Sequence, residues 1–342
     1  MVRFSRDLMN YIGSKYRLAG FIENTIRNVV GSDLSSKVFC DLFAGTGIVG
    51  RIFKTATKSV IVNDVEYYSF VLNKNYIGNH VEMPDKQKYI DELNRLPLID
   101  DGFIYTHYCL GGGSERQYFS DYNGKKIDTI RRHIETWKRT GRIADNLYFF
   151  LVASLLESAD KLANTASVYG AFLKHLKKSA QKELVLESAD FDVNENEHLV
   201  FNDDSNVLIK KIEGDILYLD PPYNARQYGA NYHVLNTIAK YDAFVPNGKT
   251  GLRKYQRSDW CSRNRVEHVF DDLLKNAKFR YIFLSYNNEG LMSMEMIKNI
   301  MLRYGRYDLA STDYQRFKAD RDDCRNHKAN KTEEFVHILE MR

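Results

Sequence analysis

The sequence predicts an α/β fold in which a mostly helical insert interrupts one mainly parallel sheet. An apolar run at 37–42, a glycine turn and a second apolar run at 59–65 form a strand–helix–strand unit. Such a unit implies parallel strands joined by a right-handed crossover. Strand patterns return at 215–219 and 280–285, after a long stretch with helical periodicity. The insert therefore lies within a single sheet domain and does not follow it.

The insert is predicted to span residues 81–195, so that residues 1–80 and 196–342 form the sheet domain. Three helical patterns are expected in the insert, at 85–95, 127–139 and 144–161. The last two strand patterns, at 307–317 and 333–339, flank a charged turn and predict a C-terminal β-hairpin.

Composition indicates an ordinary globular protein. The chain has 342 residues, of which 44% are hydrophobic and 27% charged. No apolar run approaches the ~18 residues that span a bilayer, and no apolar signal segment opens the chain, so we expect a cytoplasmic protein without a membrane partner. The four cysteines lie far apart, so neither a zinc knuckle nor a disulfide framework is expected. A net charge of +4 permits a polyanionic partner without proving one.

The glycine turn after the first strand is the first candidate ligand site. Gly45 and Gly47 open a Gly-x-Gly-x-x-Gly pattern, and Asp64 ends the second strand, where an acid could bind ribose hydroxyls. Alone, this pattern leaves a nicotinamide dinucleotide as a competitor. Asp41, at the end of the first strand, would repel a pyrophosphate and favours a ligand with a cationic amine, such as S-adenosylmethionine. The alternative for Asp41 is a residue that caps the following helix turn.

The sharpest motif is Asp220-Pro221-Pro222-Tyr223, which follows the strand at 215–219. Proline has a fixed φ and no backbone N–H, so the Pro221 carbonyl can project beside the Asp220 carboxylate. An exocyclic amino group has two hydrogens to donate, and this turn offers two acceptors. The Tyr223 ring offers a face on which a planar heterocycle can stack. The alternative is a strand-ending proline turn without a function.

Together these motifs resemble the alpha-class, Dam-like N6-adenine DNA methyltransferases of the Asp-Pro-Pro-Tyr type, in that family's order and over nearly the whole chain. The resemblance implies a Rossmann-like, S-adenosylmethionine-dependent methyltransferase fold in which the insert is the target-recognition domain. It also implies transfer of a methyl group to the exocyclic N6 of a flipped adenine in double-stranded DNA, without a metal. Residues 224–228 are similar to a subgroup from restriction–modification systems. A cognate restriction endonuclease could therefore be a functional, though not necessarily physical, partner.

The resemblance also implies roles for individual residues. Asp220 and the Pro221 carbonyl would hold the amino group in the turn that Pro222 fixes, and Tyr223 would stack on the base. Residues 283–287 match the strand that helps to form the target-base pocket. The implied cofactor-binding residues are Tyr11, Lys15, Asp41, Phe43, Gly45, Gly47, Asp64 and Asp204.

Two basic, acid-poor stretches suit the phosphate backbone of DNA. One, at 161–182, belongs to the insert, and a solvated helix face is its alternative interpretation. The other, at 249–265, follows the Asp-Pro-Pro-Tyr motif and contains glycine, so it is expected to be a loop. The candidate DNA-binding residues are Lys174, Lys177, Lys178, Arg226, Arg253, Lys254 and Arg257.

Two other functions stay open at this point. An enzyme that methylates RNA adenine or a protein amide more often carries Asn at the position of Asp220, although both side chains can accept a hydrogen bond. The large insert and the basic stretches favour duplex DNA. The second is a DNA-recognition protein that binds the cofactor without catalysis, and the intact Asp220 and Asp41 disfavour it.

Overall fold

The computed structural model describes residues 13–315 and 331–342, and these divide into two compact units. The sheet unit comprises the described residues of 13–73, 194–227 and 257–342. The helical unit comprises the described residues of 74–193 and 228–256.

The helical unit differs from the predicted insert in the bounds of its main segment, 74–193, and in a second segment. The prediction placed a single segment, 81–195, apart from the sheet domain. The helical unit also contains 228–256, a second segment that follows the Asp-Pro-Pro-Tyr motif. That the helical unit recognises the target sequence stays a prediction.

A seven-stranded sheet forms the centre of the sheet unit. Its strands are β1 Val38–Asp41, β2 Ser59–Asn63, β3 Leu199–Phe201, β4 Glu213–Leu219, β5 Lys278–Asn287, β6 Gly305–Gln315 and β7 Lys331–Met341. Their order is β3-β2-β1-β4-β5-β7-β6, and β7 runs antiparallel to both β5 and β6, while the other neighbours are parallel. This confirms the predicted α/β class with a C-terminal hairpin.

Helices occur in both units. In chain order they are α1 Ala19–Val30, α2 Ile48–Lys54, α3 Tyr67–Asn73, α4 Lys86–Arg95, α5 Phe103–Tyr108, α6 Asp121–Arg139, α7 Asp145–Leu162, α8 Ser205–Leu208, α9 Tyr228–Asn231, α10 His233–Lys240, α11 Val266–Asn276 and α12 Met294–Met301. The helical unit contains α4 to α7, α9 and α10, and the sheet unit contains the others.

Helix α6 begins six residues earlier than the pattern at 127–139 predicted. Its N-cap is Ser120, whose side chain accepts a hydrogen bond from the Asn123 backbone N–H. Gly124 would ordinarily weaken a helix at this point. Here a Cβ at Gly124 would lie 2.3 Å from Cys109 Sγ, so the absent side chain lets α6 pack closely.

The central strands are buried because helices cover the sheet. Cys40 of β1, Leu217 of β4 and Leu284 of β5 share one core cluster with Phe270 of α11 and Ile297 of α12. In the described ranges, no helix is long and apolar enough to cross a membrane. Nor do those ranges contain a group of three or more His, Cys, Asp or Glu side chains placed to hold a metal ion.

Candidate active site

The carboxyl ends of β1 and β4 bring two acidic residues to one edge of the sheet. The two strands are parallel neighbours, with Asp41 paired to Tyr218, so Asp41 ends β1 near the point where Asp220 follows β4. This edge is where open α/β sheets bind their ligands. Burial raises the pKa of Asp41 well above its ordinary value, and the nearby charge of Asp220 raises it further.

The Asp220 carboxylate receives two donors at a single oxygen. The Tyr223 hydroxyl lies 2.8 Å from Asp220 Oδ1, and Lys15 Nζ lies 3.2 Å from the same atom. Lys15 Nζ also donates to the Tyr223 hydroxyl oxygen at 2.7 Å. Burial raises the pKa of Asp220, and Lys15 and the Tyr223 hydroxyl oppose that rise. Lys15 thus contacts the Asp-Pro-Pro-Tyr motif, whereas its contact with a cofactor stays a prediction.

The Tyr223 side chain makes polar contacts that the sequence did not predict. Its ring lies 4.7 Å from the ring of Tyr286, centroid to centroid, and its hydroxyl lies 3.3 Å from Ser285 Oγ on β5. Ser285 and Tyr286 belong to the segment 283–287, whose expected part in a target-base pocket stays a prediction. The expected stacking of Tyr223 on a base is not tested by these contacts. They show that its hydroxyl is part of the Asp220 site.

Glu334 of β7 is a residue of this site that the sequence analysis missed. It is 6% exposed, and its pKa is raised by burial, lowered by Lys15 and raised by Asp220. A signal was present in the sequence, since Glu334 lies in alternation with Val336 and Ile338 on one face of a strand. A charged residue in that position of an apolar pattern predicts either an edge or a functional site.

Asp64 stabilises the glycine turn. Its Oδ2 accepts a hydrogen bond from the Gly45 N–H at 2.8 Å, and its Oδ1 accepts one from the Glu66 N–H at 2.8 Å. Gly45 and Gly47 have φ values of 52° and 78°, which favour glycine. A Cβ at Gly47 would lie 2.5 Å from Asn73 Oδ1. The ribose contact assigned to Asp64 stays a prediction.

The two oxygens of the Asp41 carboxylate differ in their hydrogen bonding. Its Oδ2 accepts a hydrogen bond from the Gly50 N–H at 3.3 Å. Its Oδ1 is buried, and no described residue gives it a hydrogen-bond partner. A buried carboxylate oxygen without a donor is costly, so this atom suits a ligand that brings one.

The remaining candidate cofactor residues lie in different surroundings. The Asp204 carboxylate caps α8 and accepts hydrogen bonds from the backbone N–H groups of Asn206 and Val207 at 2.9 and 3.2 Å. Phe43 packs edge-on against Trp260, with ring centroids 5.1 Å apart. Tyr11 lies outside the described residues.

Most of the candidate DNA-binding side chains are exposed. These are Lys174, Lys178, Arg226, Lys254 and Arg257, while Lys177 is half-buried and donates to the Thr165 carbonyl at 2.9 Å. The first basic stretch is not a helix face, because residues 163–198 lie between α7 and β3.

Arg253 requires a correction. It is 7% exposed, and its Nη2 donates to both carboxylate oxygens of Asp242, at 2.9 and 2.8 Å. Its guanidinium also lies over the Phe244 ring, 4.9 Å from the centroid. Because its side chain is buried and committed to these contacts, we withdraw Arg253 from the expected phosphate ligands.

Comparison with known proteins shows which family the chain resembles. Residues 11–338 match the model of a family described as D12 class N6 adenine-specific DNA methyltransferase. The chain is 62% identical to type II methyltransferase M.NlaIII of Neisseria lactamica over 332 residues, which are 97% of this chain and 99% of that relative. It is 37% identical to M.CviAII of Paramecium bursaria Chlorella virus 1, covering 91% of this chain and 93% of the relative.

Two weaker or partial likenesses complete the comparison. The chain is 37% identical to type II methyltransferase M.FokI of Planomicrobium okeanokoites. The match covers 91% of this chain and 50% of that relative. The solved structure of Thermoplasma acidophilum 1320 is similar at a TM-score of 0.31 and 10% identity, covering 94% of this chain and 88% of that one. This similarity is too low to support a fold assignment, which rests on the strand order of the sheet instead.

Proposed function

Because the chain belongs to the D12 class of N6-adenine-specific DNA methyltransferases, we propose that it transfers the methyl group at the Asp220 carboxylate, with S-adenosylmethionine as the donor. The observation that carries this proposal is the position of Asp220. It follows β4 at the edge where β1 ends, beside Lys15 and Tyr223. DNA adenine is the substrate of the family.

The residues around the glycine turn fit this cofactor. When bound, S-adenosylmethionine supplies an electrophilic methyl group on its sulfonium. The unpartnered Oδ1 of Asp41 suits the ammonium of its amino-acid portion. Gly45 and Gly47 add no side chains of their own to the turn, and the Asp64 carboxylate accepts a hydrogen bond from the Gly45 N–H.

Asp220 and the Pro221 carbonyl prepare the nitrogen for methylation. The lone pair of the adenine amino group is delocalised into the ring, so the nitrogen is a poor nucleophile. Two acceptors that bind its two hydrogens hold that lone pair out of conjugation, and the Asp220 charge stabilises the positive charge that develops on nitrogen. Since N6 lies inside the duplex, the base must first leave the stack, and the Tyr223 ring is available to hold it.

The proposal also assigns DNA binding to the exposed cations and recognition of the target sequence to the helical unit. The exposed Lys174, Lys178 and Lys254 suit the DNA backbone, and the helical unit would recognise the sequence around the adenine. Likeness to type II methyltransferases supports a cognate restriction endonuclease as a functional partner.

The test is methyl transfer from tritiated S-adenosylmethionine to unmethylated duplex DNA, followed by hydrolysis and identification of the labelled base. We expect N6-methyladenine, and a loss of at least ~100-fold in Asp220→Ala with cofactor affinity retained, the scale of one oriented electrostatic partner. Asp215→Ala is the matched control, because Asp215 lies on the same strand and bonds Lys37 instead. Label in RNA or protein supplied in parallel, with none in DNA, would overturn the proposal.

A further inference from the structure

The strand register places Glu334 on the catalytic side of the sheet. In the β5–β7 pair, Asn287 lies opposite Glu334, and Ser285 lies opposite Val336. Side chains two residues apart on a strand share a face, so Glu334 and Ser285 emerge on the same face as diagonal neighbours, about 7–8 Å apart. Ser285 Oγ lies 3.3 Å from the Tyr223 hydroxyl, so Glu334 faces the Asp220 site.

One oxygen of the Glu334 carboxylate is available to accept a hydrogen bond at that site. Its Oε2 is buried, and no donor within the described ranges hydrogen-bonds to it. Burial raises the pKa of Glu334. The charge of Lys15 lowers this pKa, the charge of Asp220 raises it, and a hydrogen bond from the Tyr223 side chain lowers it. Lys15 therefore acts on both carboxylates, and its Nζ lies 3.2 Å from Oδ1 of Asp220.

Competition between the present donors and a substrate arises at one oxygen of Asp220, Oδ1. This oxygen already accepts from the Tyr223 hydroxyl and lies against the Lys15 ammonium. An adenine amino group that binds there competes with both of them. A buried ammonium that loses its acceptor is costly unless another takes its place.

We propose that Glu334 is a positioning residue of the active site, and that its carboxylate holds the Lys15 ammonium when the adenine amino group occupies Asp220. This inference rests on the proposed function of Asp220. The adenine amino group can then replace the Lys15 ammonium at Asp220, because Glu334 accepts the ammonium in turn. It acts through Lys15 and does not touch the reacting atoms.

The experiment is a double-substitution cycle on methyl transfer to duplex DNA. We compare Glu334→Gln, Lys15→Met and the double variant, measuring kcat, KM for DNA and the dissociation constant of S-adenosylmethionine. Glu334→Gln is expected to lower kcat about ten-fold with cofactor affinity unchanged, less than the loss of a directly contacting group. In the Lys15→Met background the same change should cost less than about two-fold, because residues that act through one another are not additive.

The control is Glu340→Gln, on the same strand, where the carboxylate pairs with surface Arg280 and Arg306 and should not affect kcat. Wild-type kcat in Glu334→Gln, or an equal loss in both backgrounds, would overturn the inference. So would weaker cofactor binding with kcat unchanged. Should Glu334→Gln fail to fold, Glu334→Asp is compared in both backgrounds and judged by the same outcomes.

The experiments distinguish failure of the proposed function from failure of the Glu334 inference alone. If the wild-type chain transfers no methyl group to adenine, the proposed function and the inference that rests on it both fall. If the wild type is active and Asp220→Ala is not, the function stands, and the Glu334 cycle alone decides the inference.

Discussion

The Lys15 ammonium lies 3.2 Å from Oδ1 of Asp220 and 2.7 Å from the Tyr223 hydroxyl, although 208 residues separate Lys15 from Tyr223. The Lys15 side chain is 6% exposed and that of Asp220 is 19% exposed, so water screens this contact weakly. Lys15 therefore opposes the rise that burial causes in the pKa of Asp220.

Replacing Lys15 by Met should move the acid limb of the pH–rate profile to higher pH. Burial raises the pKa of Asp220 and Lys15 opposes that rise, so loss of the ammonium leaves the pKa higher still. The active carboxylate form then requires a higher pH. The measurement is kcat/KM for DNA against pH, with Lys37→Met as the control, since Lys37 pairs with Asp215 elsewhere in the unit. An unmoved acid limb would show that Lys15 does not control Asp220.

The sequence predicted the parts of the site that depend on local pattern. Asp41 and Asp220 each end a buried strand, and parallel neighbouring strands bring such ends together. The Lys15 contact, the Glu334 carboxylate and the polar role of the Tyr223 hydroxyl were not predictable in this way. The Lys15 contact joins segments about 200 residues apart, and the position of Glu334 follows from the insertion of β7 between β5 and β6, which no local pattern shows.

Two features of the fold that the sequence analysis did not predict have similar causes. β3 has only three residues at the sheet edge, and Leu199 is half exposed, so its sequence shows no clear alternation. Segment 228–256 joins the helical unit without a shift in composition that would mark the boundary. Arg253 looked like a phosphate ligand because charge runs are usually solvated, and nothing in the sequence indicated its pairing with Asp242.

Asp41→Asn should weaken cofactor binding by about 30-fold or more, which corresponds to the ~2 kcal/mol or more lost when a buried charge pair is broken. Burial and the charge of Asp220 raise the pKa of Asp41, and a cationic ligand requires its ionised form. Wild-type affinity for S-adenosylmethionine should therefore rise with pH through that pKa, and the dependence should vanish in the variant. Calorimetric titration at several pH values measures both effects.

The control for that titration is Asp33→Asn, at an exposed site before β1. Unchanged affinity in Asp41→Asn would remove this residue from the cofactor site, whatever the effect on turnover.

Gly47→Ala should destabilise the protein by about 2 kcal/mol or more. The residue has a φ of 78°, which L side chains rarely adopt, and its Cβ would lie 2.5 Å from Asn73 Oδ1. Gly20→Ala is the opposite control, because Gly20 lies in α1 with no atom within 4 Å of its Cβ. That change should stabilise the protein by about 0.5–1 kcal/mol. Denaturant unfolding measures both, and equal effects would contradict the assigned turn geometry.

Arg253→Ala and Lys254→Ala should affect different properties, although the two residues are adjacent. Arg253 is buried and donates two hydrogen bonds to Asp242, so its loss should lower the free energy of unfolding by about 1–3 kcal/mol. Lys254 is exposed, so its loss should change that free energy by less than about 0.5 kcal/mol. If Lys254 contacts a phosphate, its loss should instead weaken binding to all DNA sequences alike and reduce the salt slope of affinity by about one.

Denaturant unfolding and DNA affinity against salt concentration, measured on both variants, separate the two roles. If Arg253→Ala keeps its stability and loses the salt slope, the buried pair with Asp242 does not persist in solution, and the arginine belongs with the phosphate ligands after all.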